Sequence, residues 1–144
     1  MKILKISHLD TYLVRHPVLR TGRPIEDCAF EGDENDKTQH LGAFKNNKLI
    51  GVLTLMETQR KVQNRPSWQL RGMAVLEAYQ KTGVGRKLIN RAEEIAQTQQ
   101  IQALWLNARK IAVPFYQNMC YQIDGSPFNI PNIGIHYWMY KLLQ

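Results

Sequence analysis

The hydrophobic period along this chain switches between about two and about 3.6 residues, and the switches mark out alternating strands and helices. Ile3 and Ile6 sit among polar neighbours in Lys2 to Ile6, which reads as a short first strand. Apolar residues at 9, 13, 14 and 18 follow a helical period from Leu9 to Leu19, ahead of Thr21-Gly22-Arg23-Pro24. Pro17 is expected to shorten or kink this helix. Residues 21 to 38 are polar and loop-like, with an acidic patch at Glu31, Asp33, Glu34 and Asp36. Gln39 to Phe44 and Leu49 to Glu57 form a predicted hairpin around Lys45-Asn46-Asn47-Lys48, and Thr58 to Ser67 reads as a polar loop. Trp68 to Leu76 is the fourth strand. A helix from Gly83 then places Val84, Leu88, Ile89, Ala92, Ile95 and Ala96 on one face. Gln102 to Asn107 has a nearly continuous apolar centre, the mark of a strand buried on both sides. Arg109 to Met119 reads as a short helix, with a late start or kink at Pro114; Tyr121 to Phe128 and Gly134 to Leu142 read as two final strands. No repeat or linker interrupts residues 1–144, so one domain is expected.

The junction between the fourth strand and its helix carries chemistry. It reads Gln80-Lys81-Thr82-Gly83-Val84-Gly85-Arg86. A glycine turn opening directly into a helix leaves backbone N–H groups unpaired and pointing outward at the positive end of the helix dipole, which suits phosphate. A Walker loop would need Gly-x-x-x-x-Gly-Lys-Ser/Thr, and no such run exists. A dinucleotide fingerprint would need a third glycine where Leu88 stands. Gln-x-x-Gly-x-Gly after a strand instead resembles the acetyl-CoA pyrophosphate loop of the GCN5-related N-acetyltransferase (GNAT) family.

A second segment extends the resemblance. Asn107, Ala112, Phe115-Tyr116 and Tyr121 are similar to the family's Asn-x-x-Ala-x-x-Phe-Tyr-x-x-x-Gly-Phe/Tyr, with looser spacing and Cys120 at the usual glycine. The tail resembles a bacterial subgroup carrying Gly-x-x-Phe and then Gly-Ile-Pro-His-x-x-Met: Gly125 to Phe128 and Gly134-Ile135-His136-Tyr137-Trp138-Met139 match it without the proline. Arg15 to Arg20, Asp36 and His40 fit that subgroup more loosely. The resemblance implies a mixed α/β (α+β) GNAT fold: a central, mostly antiparallel twisted sheet of about seven strands, flanked by helices and splayed between strands four and five. The predicted element order, β-α-β-β-β-α-β-α-β-β, lacks one short helix usually found early in that fold.

The implied reaction moves an acetyl group from the coenzyme A thioester to a primary amine by direct attack, with acetyl-CoA as cosubstrate. The cofactor residues it implies are Met73, Ala74 and Val75 along the strand; Gln80, Lys81, Thr82, Gly83, Val84, Gly85 and Arg86 in the loop; and Asn107. Lys87 adds charge at the same rim. Tyr116 is the expected general acid for the departing thiolate. The family's frequent Glu on the fourth strand is replaced by Arg71-Gly72, so the base stays open among Glu57, Glu77, His136 and a water chain. His136 has an intrinsic pKa near neutrality, which suits that role. The alternative is a non-catalytic acyl-CoA-binding module.

Composition narrows the partners. The net charge is +7, but the basic residues are dispersed without a stripe, which argues for a phosphate-rich cofactor and against nucleic acid. No apolar run approaches the ~20 residues of a membrane span, and Met1 to His8 has no signal-peptide character. With only Cys28 and Cys120, no disulfide framework is expected, and a cytoplasmic location is the expectation. His8, His16, His40 and His136 lack ligand spacing, so no metal site is assigned; His40 is expected as a structural histidine beside Asp36. The acceptor, a small-molecule or peptide amine, draws conflicting hints: residues 31 to 36 would attract a cationic amine, whereas Arg71 would favour a carboxylate. Ile133, Ile135, Tyr137 and Trp138 suggest a homodimer contact through the last strands.

Overall fold

A computed structural model describes all 144 residues. Eight strands and three α-helices follow the order β1 (Lys2–Ile6), α1 (His8–Leu19), β2 (Gln39–Lys45), β3 (Lys48–Val62), β4 (Arg65–Val75), α2 (Val84–Thr98), β5 (Ala103–Arg109), α3 (Val113–Asn118), β6 (Gln122–Ile123), β7 (Phe128–Ile130) and β8 (Gly134–Leu142). The hydrogen-bonded path is β1-β2-β3-β4-β5-β8-β6, with β7 on β8. The β1–β2, β2–β3, β5–β8, β6–β8 and β7–β8 pairs are antiparallel, and β4–β5 is parallel. This is the mixed α/β, mostly antiparallel sheet expected.

The chain divides into two units: Met1–Glu57 with Leu70–Ile95, and Thr58–Gln69 with Ala96–Gln144. In the first, Ser7 starts α1 through a capping box: its hydroxyl accepts from the Asp10 N–H and the Asp10 carboxylate accepts from the Ser7 N–H. The helix continues through Pro17 and ends at Leu19, so the expected shortening does not occur. Its buried face is Thr11, Val14 and Arg15, while Leu9 and Leu13 are exposed. The face is rotated from that expected because buried polar groups find partners in the structure that the hydrophobic pattern cannot register. Asn46 and Asn47 turn β2 into β3 with φ of 51° and 66°, as a two-residue hairpin with right-handed twist requires. Val14, Val52 and Ala74 form a core with Ile6, Val18, Leu19, Leu49 and Leu76 packed against it. Helix α2 buries Val84, Leu88, Ile89, Ala92 and Ala96, as its period predicts, with Ile95 half-buried.

In the second unit the polar stretch Thr58 to Ser67 is not a loop. β3 runs on to Val62 and β4 begins at Arg65, joined at Gln63 and Asn64 with φ of 47° and 64°. The Thr58 hydroxyl donates to the Ser67 carbonyl and the Ser67 hydroxyl to the Arg60 carbonyl, which ties the two arms together. β4 and β5 pair in parallel over Ser67–Gln69 and Ala103–Trp105 only. β5 pairs along its whole length with β8. Val62, Ala103, Trp105 and Tyr140 form the core here, with Trp138 and Leu142 packed on it. The expected strand Tyr121 to Phe128 is broken into β6 and β7, because Gly125 takes φ +90° and Pro127 follows. A 3-10 turn at Lys110–Ala112 precedes α3, whose first turn holds Pro114. Of the four residues expected at a dimer contact only Ile135 is exposed; Ile133, Tyr137 and Trp138 are half-buried. No helix is long and apolar enough to cross a membrane.

Candidate active site

The cofactor loop belongs to the first unit. β4 ends at Val75, a 3-10 turn covers Glu77–Tyr79, and the chain then swings into α2. The Gln80 side-chain amide donates to the Val75 carbonyl at 2.9 Å, and the Thr82 hydroxyl donates to the Tyr79 carbonyl at 2.5 Å. These bonds clamp the loop onto its strand. Lys81 and Gly83 both lie in the left-handed region, with φ of 63° and 91°. Space is open around Gly83, so backbone conformation rather than crowding demands glycine there. The Lys87 N–H donates to the Gly83 carbonyl at 3.1 Å. The amides of Val84, Gly85 and Arg86 come before that first helical bond and have no helical acceptor. No acidic residue stands in the first turn of α2, which instead carries Arg86 and Lys87. Three orphan donors, a left-handed glycine and a basic rim fit a diphosphate.

Side chains share this work unevenly. Lys81, Thr82, Arg86 and Lys87 are exposed. Val84 and Ala74 are buried, each 3% exposed, so both can offer only backbone to a ligand. A cavity of about 360 Å³ adjoins Gln80, lined by Pro17, Val18, Leu76 and Glu77. Within its unit, the segment of β4 from Leu70 to Val75 has a strand neighbour, β3, on one side only. Met73 and Val75 are half-buried on that strand. Glu57 and Glu77 are both exposed, without an ion-pair partner.

Beside β4 lies a polar knot. Arg15 is fully buried; its Nη1 donates to the Asp33 carboxylate at 2.6 Å and to the Cys28 carbonyl at 2.8 Å. Its Nη2 reaches Asp33 at 3.2 Å and the Thr54 hydroxyl at 2.9 Å, while Nε has no partner. Burial alone would raise the Asp33 carboxyl, but the Arg15 donors and the Phe30 N–H outweigh it and hold it below the usual carboxylate range. The Thr54 hydroxyl accepts from Arg15 and donates to Nδ1 of His40, whose Nε2–H donates to the Asp33 carbonyl at 2.9 Å. Burial pushes the pKa of His40 down, which favours its neutral form. It is structural, and its partner is Asp33 rather than Asp36. Gly72, with φ +62°, sits against this knot: a Cβ there would stand 3.1 Å from the Arg15 guanidinium and 3.2 Å from the Phe30 ring.

The second unit carries Asn107, Tyr116 and His136. Tyr116 is 9% exposed, with edge-on ring contacts to Phe115 and Tyr121. No protein group accepts from its hydroxyl, and burial pushes its pKa up, so it stays a proton donor across the neutral range. Asn107 is exposed on β5, opposite Trp138 of β8. His136 is 5% exposed, opposite Arg109, and its Nδ1–H donates to the Gly134 carbonyl at 2.8 Å. In a neutral ring that bond places the proton on Nδ1, and Nε2 has no internal hydrogen-bond partner. Asn107, Arg109, His136 and Trp138 share one face of the β5–β8 pair. Lys141, of opposite parity on β8, lies over the Tyr121 ring, so the Tyr116–Tyr121 pair belongs to the other face. Cys120, in the place of the family's glycine, takes φ 72°, the left-handed conformation a glycine adopts most easily.

Residues 5–120 match the family described as Acetyltransferase (GNAT) family. This chain belongs to the GNAT acetyltransferase family. Acetyl-CoA is the acyl donor that goes with this membership. The chain is 36% identical over 145 residues to the uncharacterized N-acetyltransferase YitI of Bacillus subtilis (strain 168), covering 100% of this chain and 97% of that protein. Its fold is similar to that of a putative N-acetyltransferase from Lactobacillus plantarum, with a TM-score of 0.82, 20% identity, and coverage of 99% and 98% of the two chains. It is similar also to an aminoglycoside 6'-N-acetyltransferase complexed with coenzyme A, with a TM-score of 0.76, 15% identity, and coverage of 99% and 97%. Sequence reasoning missed the Arg15–Asp33–Thr54–His40 knot. The available signal was an arginine beside Val14 on the apolar side of α1.

Proposed function

We propose that this GNAT domain, taken as residues 1–144, transfers an acetyl group from acetyl-CoA to a primary amine by direct attack of the amine on the thioester. The observation that carries the reading is the set of orphan amides at Val84, Gly85 and Arg86 behind a left-handed Gly83. Acetyl-CoA supplies an activated carbonyl and a thiolate leaving group. The loop from Gln80 to Arg86 holds the diphosphate through its amides, with Lys81, Arg86 and Lys87 adding charge from exposed positions. Met73 and Val75 offer strand backbone to the pantetheine arm, as in strand addition. Asn107, exposed on β5, is the further cofactor residue of this reading.

Tyr116 holds the proton for the departing sulfur. Its raised pKa and its hydroxyl free of internal acceptors support that role. His136, whose Nε2 is left without an internal partner, is the base we favour, and Arg109 across the strand pair keeps a cation next to it. Glu57 is exposed and has no group to orient it, so it ranks behind His136. In direct attack the amine nitrogen loses a proton to a base and the departing sulfur gains one from an acid, so the step needs one group of each kind.

The deciding experiment pairs calorimetric titration of acetyl-CoA with an assay of thiol release against an amine panel. Binding with amine-dependent thiol release is expected. Binding without release against any amine would make the chain an acyl-CoA-binding module, and absence of binding would overturn the reading.

A further inference from the structure

Arg71 lies on β4, two residues before Met73, in the same unit as the cofactor loop. Its Nη1 donates to the Glu31 carbonyl at 2.7 Å and to the Met56 thioether at 3.2 Å. A thioether is a weak acceptor, the sort a guanidinium settles for when nothing better is within reach. Its Nε–H and Nη2 hydrogens have no internal acceptor, and no carboxylate lies within ion-pair distance. The group is half-buried, and burial lowers its pKa, yet a guanidinium stays charged.

Its surroundings carry both signs of charge: Asp33 and Glu31 favour its charged form, and Arg15 opposes it. The guanidinium groups of Arg15, Arg20 and Arg71 stand 4.0, 4.9 and 5.1 Å from the centre of the same Phe30 ring. Asp33 pairs directly with Arg15, at 2.6 Å. Glu34 is exposed and 3.7 Å from His8, and Glu31 and Asp36 are exposed, so none of them gives a cationic amine a desolvated partner. The exposed carboxylates are solvated and Asp33 is paired with Arg15, while the Arg71 fork, held by Phe30 and the Glu31 carbonyl, remains open.

We propose that the acceptor carries a carboxylate close to its amine, as an amino acid does, and that Arg71 recognises that carboxylate. The inference rests on the acetyltransferase reading above. Two strand residues span roughly 6.6 Å. An amine presented near the Met73 backbone thus has its carboxylate within reach of an arginine side chain at position 71. The guanidinium keeps adjacent N–H donors that match the two oxygens of one carboxylate. A cationic polyamine would meet like charge at the same place.

The test is calorimetry in the presence of saturating coenzyme A, with N-acetyl-L-amino acids as product probes and their N-acetyl amides as matched neutral controls. At least one acid should bind, and its amide at least tenfold more weakly. Arg71→Gln should weaken the acid at least tenfold while leaving acetyl-CoA affinity within about twofold, and Arg71→Lys should restore part of the loss. If Arg71→Gln fails to fold, the comparison of acid with amide on the unaltered protein still decides. Acids that do not bind, acids and amides that bind alike, or a phosphonate analogue that binds more tightly than the carboxylate would overturn the inference while acetyl-CoA binding persists. Loss of acetyl-CoA binding by the unaltered protein would instead overturn the underlying reading, and this inference with it.

Discussion

Two polar regions of the first unit make opposite use of their hydrogen-bonding groups. Around Arg15, donors and acceptors close on one another: Asp33, Thr54, His40 and the Cys28 carbonyl take every bond but that of Nε. Along β4 and the start of α2 they stay open. Arg71 keeps most of its donors unpaired, and three helix amides wait behind Gly83. An unpaired donor that is half-buried costs free energy unless something else satisfies it. The closed region therefore serves the fold, and the open one is arranged for molecules from outside.

The largest effect should come from breaking the closed region. Asp33→Ala leaves a fully buried guanidinium without its counter-charge and should cost about 3–5 kcal/mol of stability by chemical denaturation. A loss under about 1 kcal/mol would mean that the Arg15–Asp33 pair contributes little to the fold. Next comes Tyr116→Phe, which keeps the ring packing and removes only the proton. It should lower kcat by ~10²-fold or more with little change in acetyl-CoA Kd, and unchanged turnover where chemistry limits would return Tyr116 to the core. Gly83→Asp forces a Cβ into φ +91° and puts a carboxylate at the open region. Acetyl-CoA Kd should rise at least tenfold, ~1.4 kcal/mol, and an unchanged Kd in a folded variant would remove the loop from the site.

A smaller effect is set by pH. His40 has a lowered folded pKa, so its contribution is full above its unfolded value near 6.5 and declines as pH falls below it. Asp33, also lowered, adds a second loss below about pH 4. Melting temperature should fall between pH 7 and pH 5 in the native protein, and less so in His40→Gln. Equal slopes in the two would show that His40 does not titrate as described.

Much of this architecture was legible in the chain because its signals were local. Gly83 and Gly85 between an apolar strand and the α2 period announce the loop, and Asn46-Asn47 announces a hairpin. The β3–β4 extension was hidden because Gln63-Asn64 lacks glycine and its arms are mostly polar. The face of α1 was misjudged because Arg15 is buried by a partner 18 residues away, a tertiary contact that no periodicity encodes. The open state of Arg71 was equally invisible, since it depends on which groups fail to reach it.

Open donors, on this reading of the molecule, mark where ligand binds. Backbone amide resonances followed during acetyl-CoA titration test it most directly. Large shifts are expected at Val84, Gly85 and Arg86, with little change at Phe30, whose N–H already donates to Asp33. Saturable binding of acetyl-CoA that leaves those three amides unmoved would contradict it.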